Sequence, residues 1–141
     1  MNTLRRTSTS PRWFRVAVQA LVMIAESREP CSSAEIAQDV DAHAVFMRRV
    51  LAHLVRTGIV QAYEGRTGGY RLARPASQIT LADVYHAVKV TETGDEFALA
   101  DCQNSRVIDE LDEIQADIEV YALRQYSRRT LESLVRHVSH N

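Results

Sequence analysis

Two adjacent arginines, Arg48 and Arg49, are followed at helical spacing by His53 and Arg56, and the stretch EGRTGGYRLAR then adds Arg66, Arg71 and Arg74. A guanidinium keeps its charge at every physiological pH and presents paired donors in a plane, a shape that matches phosphate and the O6/N7 edge of guanine. The chemistry on offer is anion recognition. Bond-making chemistry lacks its parts: there is no Ser/His/Asp or Cys/His arrangement at a recognisable spacing, no GxGxxG or GxxxxGK, and no carboxylate pair placed for acid–base work. No catalytic residue is expected, and the chain reads as a non-enzyme. The glycines of EGRTGG fall between two strand-like runs, so the phosphate they approach belongs to a polymer rather than to a nucleotide.

The charge is unevenly distributed. The net charge of the 141 residues is −1, yet residues 1–75 carry 11 arginines against 6 acids, whereas residues 76–141 carry 6 basic residues against 12 acids. Such asymmetry assigns anion binding to the first half and other work to the second. An Arg-Arg pair alone is usually a solvated helix face, and a Gly-Gly pair alone usually a turn. Their order along the chain, with the positive charge confined to one half, points to double-stranded DNA.

The elements that must hold these groups can be read from apolar spacing. Residues 14–27 place Val16, Ala17, Ala20, Leu21 and Ile24 on one helical face. Ser32 and Glu35 have capping-box spacing, flanked by Cys31 and Ile36 as a hydrophobic staple, so a short helix starts near Ser33. The next helix turns Phe46, Val50, Leu51 and Leu54 inward and Arg48, Arg49, Ala52, His53 and Arg56 outward, and Gly58 ends it. IVQAY and YRLAR pair as a hairpin with EGRTGG as its loop. Thr80 and Asp83 cap a further helix bearing Leu81, Val84, Tyr85 and Val88, with Ile79 and Val84 as its staple.

After a polar connector, Val107, Leu111, Ile114, Ile118 and Tyr121 recur at steps of four and three in a helix over 105–126, the spacing of a coiled coil. That helix is longer than a body of this size needs for its own core, so its stripe is expected to meet a second copy. A last helical turn over 130–138 is expected to fold back on it. The fold class expected is mainly α with a small β-hairpin: a mobile arm over 1–10, a winged helix-turn-helix over 11–90, a connector over 91–104, and a dimerisation helix with a C-terminal helical turn over 105–141.

In a winged helix the recognition helix enters the major groove and the wing follows the backbone or reaches a minor groove. Arg48 and Arg49 then read base edges, His53 and Arg56 face phosphates, and Arg66, Thr67 and Gly68 form the wing contact, the glycines removing side chains that would hold the wing away from phosphate. The alternative is a winged-helix module whose basic face docks an acidic protein partner.

SAEIAQDV, FMRRVLAHLVRTGIV, GRTGGYRLARP and ITLADVYHAV together resemble the IscR/NsrR-type winged-helix regulators, the bacterial Rrf-two family, over roughly residues 12–90. The resemblance implies a homodimeric transcription regulator, usually a repressor, with a long dimerisation helix and hence a palindromic operator. Cluster-binding members place three cysteines in the connector, but this chain has only Cys102 there, and Asp95, Glu96 and Asp101 are poor replacements for thiolate. No iron–sulfur cluster is expected. The family's wing typically reads Gly-Pro-Gly-Gly-Gly, whereas here Arg66 and Thr67 follow Gly65, and Glu64 stands where a basic residue is common.

Two cysteines 71 positions apart exclude a disulfide framework and every CxxC metal signature. Cys102 is the candidate for an oxidant-sensing thiol, and Cys31 is accounted for by its staple position. The histidines, including His137 and His140, show no HxxxH or HxH pattern, so no metal site is expected. With no signal-like or membrane-length apolar run, a cytoplasmic protein is expected, responding to a small molecule or an oxidant.

Overall fold

The computed structural model describes residues 11–89 and 106–140. The expected arm over 1–10 and the connector over 91–104, Cys102 included, lie outside the described residues.

Helix α1 (Arg12–Glu26) follows Pro11 and buries Trp13, Phe14, Val16, Ala17, Ala20, Leu21 and Ile24. The buried positions recur every three or four residues around more than one stripe, because α1 is packed against α2, α3, α4, α6 and the second wing strand. It is the axis of the core.

Helix α2 (Ser33–Val40) carries the expected capping box: Glu35 N donates to Ser32 Oγ at 3.2 Å, and Ser32 N donates to Glu35 Oε2 at 2.9 Å. Asp41, at φ 56°, turns the chain through the left-handed region into helix α3 (Ala44–Arg56). Met47, Val50, Leu51 and Leu54 are fully buried. Phe46, expected to begin that stripe, is only partly buried, since it stands about 100° around the helix from Met47, which shares the inward face with Val50, Leu51 and Leu54.

Strands β1 (Val60–Tyr63) and β2 (Gly69–Leu72) pair antiparallel, with Val60 opposite Leu72 and Tyr63 opposite Gly69. A third backbone joins them: Tyr70 N donates to Cys31 O at 2.7 Å, and Cys31 N donates to Tyr70 O at 3.1 Å. The wing is thereby fixed to the segment that enters α2. A 3-10 turn (Ala76–Gln78) leads to α4 (Leu81–Val88), whose capping box closes with Asp83 N to Thr80 Oγ1 and Thr80 N to Asp83 Oδ2, both 3.0 Å.

Helix α5 (Arg106–Ser127) has 22 residues and buries none of them fully. Leu123 and Tyr126 pack against the core, and Glu119 pairs with Lys89 at the end of α4. Helix α6 (Leu131–Ser139) does not fold back on α5 as expected. It packs on α1 and the 3-10 turn instead, with Leu131 fully buried. The reason is a clasp between loops: Leu131 N donates to Ile79 O at 2.8 Å, Leu81 N donates to Arg129 O at 3.0 Å, and Thr80 and Thr130 face each other across this bridge while each caps its own helix. Among the described residues no helix is long and apolar enough to cross a membrane.

Candidate nucleic-acid interface

Helix α3 has one face in the core and the other in solvent. With Met47, Val50, Leu51 and Leu54 inward, the 3.6-residue period turns Arg48, Arg49, Ala52 and Arg56 outward, and all four are exposed. Among the described residues Arg48, Arg49, Arg56 and Arg66 form no ion pair. Three unneutralised guanidiniums on the outer face of α3, and a fourth at the wing tip, create local positive potential that net charge conceals.

His53 sits lower on this face and is partly buried. Its pKa is held below the ordinary 6.5, first by burial, which disfavours the charged ring, and then by the cations of Arg56 and Arg49. A phosphate brought against these arginines would reverse the second of those causes.

The wing tip explains its glycines from inside. Gly68 N donates to Gly65 O at 3.0 Å, closing the turn that carries Arg66 and Thr67 outward. A Cβ on Gly68 would stand 2.4 Å from Tyr63 O, and one on Gly69 would stand 2.6 Å from the carbonyl of Cys31. Both contacts are with backbone, which cannot swing away. Gly68 and Gly69 are therefore required by the closure of the turn and by the docking of β2 on Cys31, a demand from within the fold that the expected clearance toward phosphate did not include. Two of the nearby arginines are also committed within the protein: Arg71 Nη2 donates to Arg28 O at 3.0 Å, and Arg74 lies 3.5 Å from Asp83.

Sequence reasoning left Val45 out of this face, although it precedes Arg48 and Arg49 by three and four positions and stands 68% exposed. The signal was present, an apolar residue on the polar side of an amphipathic helix. The stripe of Val107, Leu111, Ile114, Ile118 and Tyr121 lies on the outer side of α5, each residue at least half exposed.

The described residues contain no group of three His, Cys, Asp or Glu side chains able to hold a metal ion. Cys31 is buried, with its thiol directed at Glu29 O at 3.8 Å, and has no second donor of that kind beside it. These residues do not fit an iron centre.

A family model described as Rrf2, iron-dependent transcriptional regulator, matches residues 11–137. Protein aau3 of Rhizobium meliloti (strain 1021) is 45% identical over 94 residues, covering 66% of this chain and 58% of that protein. The HTH-type transcriptional regulator IscR of Cereibacter sphaeroides is 34% identical over 87 residues, covering 61% and 56%. The chain thus spans little more than half the length of these curated relatives. Among solved structures, T. potens IscR superposes with a TM-score of 0.69 at 19% identity, covering 94% of this chain and 89% of that one. CymR, the global cysteine regulator of B. subtilis, superposes at 0.65 and 19% identity, covering 92% and 98%. At such identities the structural likeness establishes the fold: a winged helix followed by a long helix.

Proposed function

This chain belongs to the Rrf2 family of transcriptional regulators, and from that premise we propose that it is a homodimeric repressor that occupies a palindromic operator. The observation that carries this reading is the set of unpaired arginines on the outer face of α3 and at the wing tip. Arg48 and Arg49, in the first half of the helix, address base edges in the major groove, where one bidentate contact to guanine is worth about 1–3 kcal/mol of discrimination. Arg56 and His53 face phosphates, and Arg66 and Thr67 extend along the backbone from the wing.

A homodimer is supported by α5. A helix of 22 residues with no fully buried side chain, carrying five large apolar residues on its outer side, gains little from its own fold. A second copy laid on that stripe would remove it from water and present two recognition helices to successive turns of one duplex, about 34 Å apart. Repression follows from occupancy, since a dimer across a promoter excludes other proteins from it.

The reading includes no iron–sulfur cluster. The whole chain has two cysteines, one of them Cys31 in the core, so thiolates of one chain cannot complete a four-ligand site. Any thiol signal would enter at Cys102. A regulator of this kind works in the cytoplasm, beside the chromosome.

The test is selection of bound duplexes from a random library, followed by titration of the selected duplex at several salt concentrations. A palindromic motif is expected. Arg48→Ala and Arg49→Ala should relax selectivity at defined positions, and Arg56→Ala should lower the salt slope by about one phosphate contact per protomer while leaving selectivity in place. Equal affinity for selected and random duplexes would overturn this reading and leave docking of an acidic protein as the use of the face.

A further inference from the structure

Val45 is the most exposed large apolar side chain among the described residues, at 68%. The other side chains of that kind at 50% or more belong to α5 and α6: Val107, Leu111, Ile114, Ile118, Val120, Tyr121 and Val138. Val45 is far from that seam in the chain, on the second residue of α3.

Its position on the helix excludes a packing account. Counting about 100° per residue, Val45 lies in the same direction as Ala52 and Arg56, close to opposite the buried Leu54, with Arg48 and Arg49 displaced to either side. It therefore occupies the centre of the solvent face rather than its margin, between the two guanidiniums and one turn nearer the helix N-terminus. A β-branched residue there gives up helix propensity relative to alanine, and solvent returns nothing for it.

The first turn of a recognition helix is the part that reaches base edges, and the one apolar feature of the major groove is the 5-methyl group of thymine. We propose that Val45 is a specificity-determining residue whose isopropyl group packs on the 5-methyl of a thymine lying between the bases addressed by Arg48 and Arg49. The inference rests on the DNA-binding reading and adds a base to it. Arginine pairs distinguish guanine from the other bases by hydrogen bonds. Val45 distinguishes thymine from cytosine by a methyl that cytosine lacks.

The experiment removes that methyl and nothing else. Each symmetry-related pair of thymines in the duplex selected by the protein is replaced by deoxyuridine, which leaves Watson–Crick pairing intact, and Kd is measured by fluorescence anisotropy for the wild-type protein and for Val45→Ala. One pair is expected to weaken wild-type binding by about fourfold per half-site, the effect of one buried methyl, and to leave Val45→Ala unaffected. Val45→Ala should bind the thymine duplex as weakly as the wild type binds the deoxyuridine duplex. Val45→Thr, nearly isosteric and keeping one methyl, provides a second variant and should retain part of the sensitivity. Tight, selective binding with no thymine position coupled to residue 45 would overturn the inference while the DNA-binding reading stands. Absence of any selected motif would remove both.

Discussion

The ring of Phe14, on α1, lies 4.7 Å centroid to centroid from the ring of Tyr126 near the end of α5. Tyr85 of α4 closes the group, at 5.6 Å from Phe14 and 5.8 Å from Tyr126, and Trp13 meets Tyr85 in a tilted contact at 5.3 Å. These four aromatics are the place where the long helix is held to the axis of the DNA-binding unit. Phe14→Ala would empty a site that is 5% exposed and is expected to cost about 3–5 kcal/mol of stability. Urea unfolding followed by the fluorescence of Trp13, the only tryptophan, measures it.

Gly69→Ala is expected to detach the wing. The new Cβ would stand 2.6 Å from the Cys31 carbonyl, so the pair of hydrogen bonds between Cys31 and Tyr70 must open. Circular dichroism should report the helices intact while affinity for the selected duplex falls about tenfold or more, as expected for the loss of some 1.4 kcal/mol or more of wing contact. Unchanged affinity would show that the wing does not need this anchor.

Affinity for DNA is expected to rise as pH falls from about 7.5 to 6, because phosphate against Arg49 and Arg56 raises a His53 pKa that those arginines and burial hold down, and binding then takes up a proton. Stability moves the other way. The folded pKa lies below the unfolded 6.5, so the contribution of the neutral ring is complete above 6.5 and is lost as pH falls through the folded value. Titrations of His53→Gln beside the wild type should show both slopes reduced.

Ile114→Glu combined with Ile118→Glu is expected to yield monomers by sedimentation velocity. Both side chains are at least half exposed on the protomer, so the fold of one chain should melt within a few degrees of the wild type. Affinity for a palindrome should collapse toward that for a single half-site. A variant that remains dimeric would place the interface elsewhere.

Much of this molecule is determined locally, and so the sequence alone predicts it. Capping boxes join residues three positions apart, and those at Ser32/Glu35 and Thr80/Asp83 form as their spacing requires. Amphipathic periodicity decides which faces of α1, α3 and α4 turn inward, and the hairpin follows from two strand-like runs with glycines between them. The outward set of Arg48, Arg49 and Arg56 is the complement of that same periodicity.

What the sequence could not supply depends on contacts between distant segments. No local pattern tells that Gly69 is demanded by the backbone of Cys31, that Arg71 is engaged by the carbonyl of Arg28, or that α6 packs on α1 with its first residue, Leu131, fully buried. Each is a matter of which surfaces meet after the chain has closed on itself. The chain by itself therefore determined the elements and the sign of the charge they present. Only the tertiary structure decided which glycines and arginines serve the fold and which remain free for a ligand, because a side chain's availability depends on the backbone that packing brings within its reach.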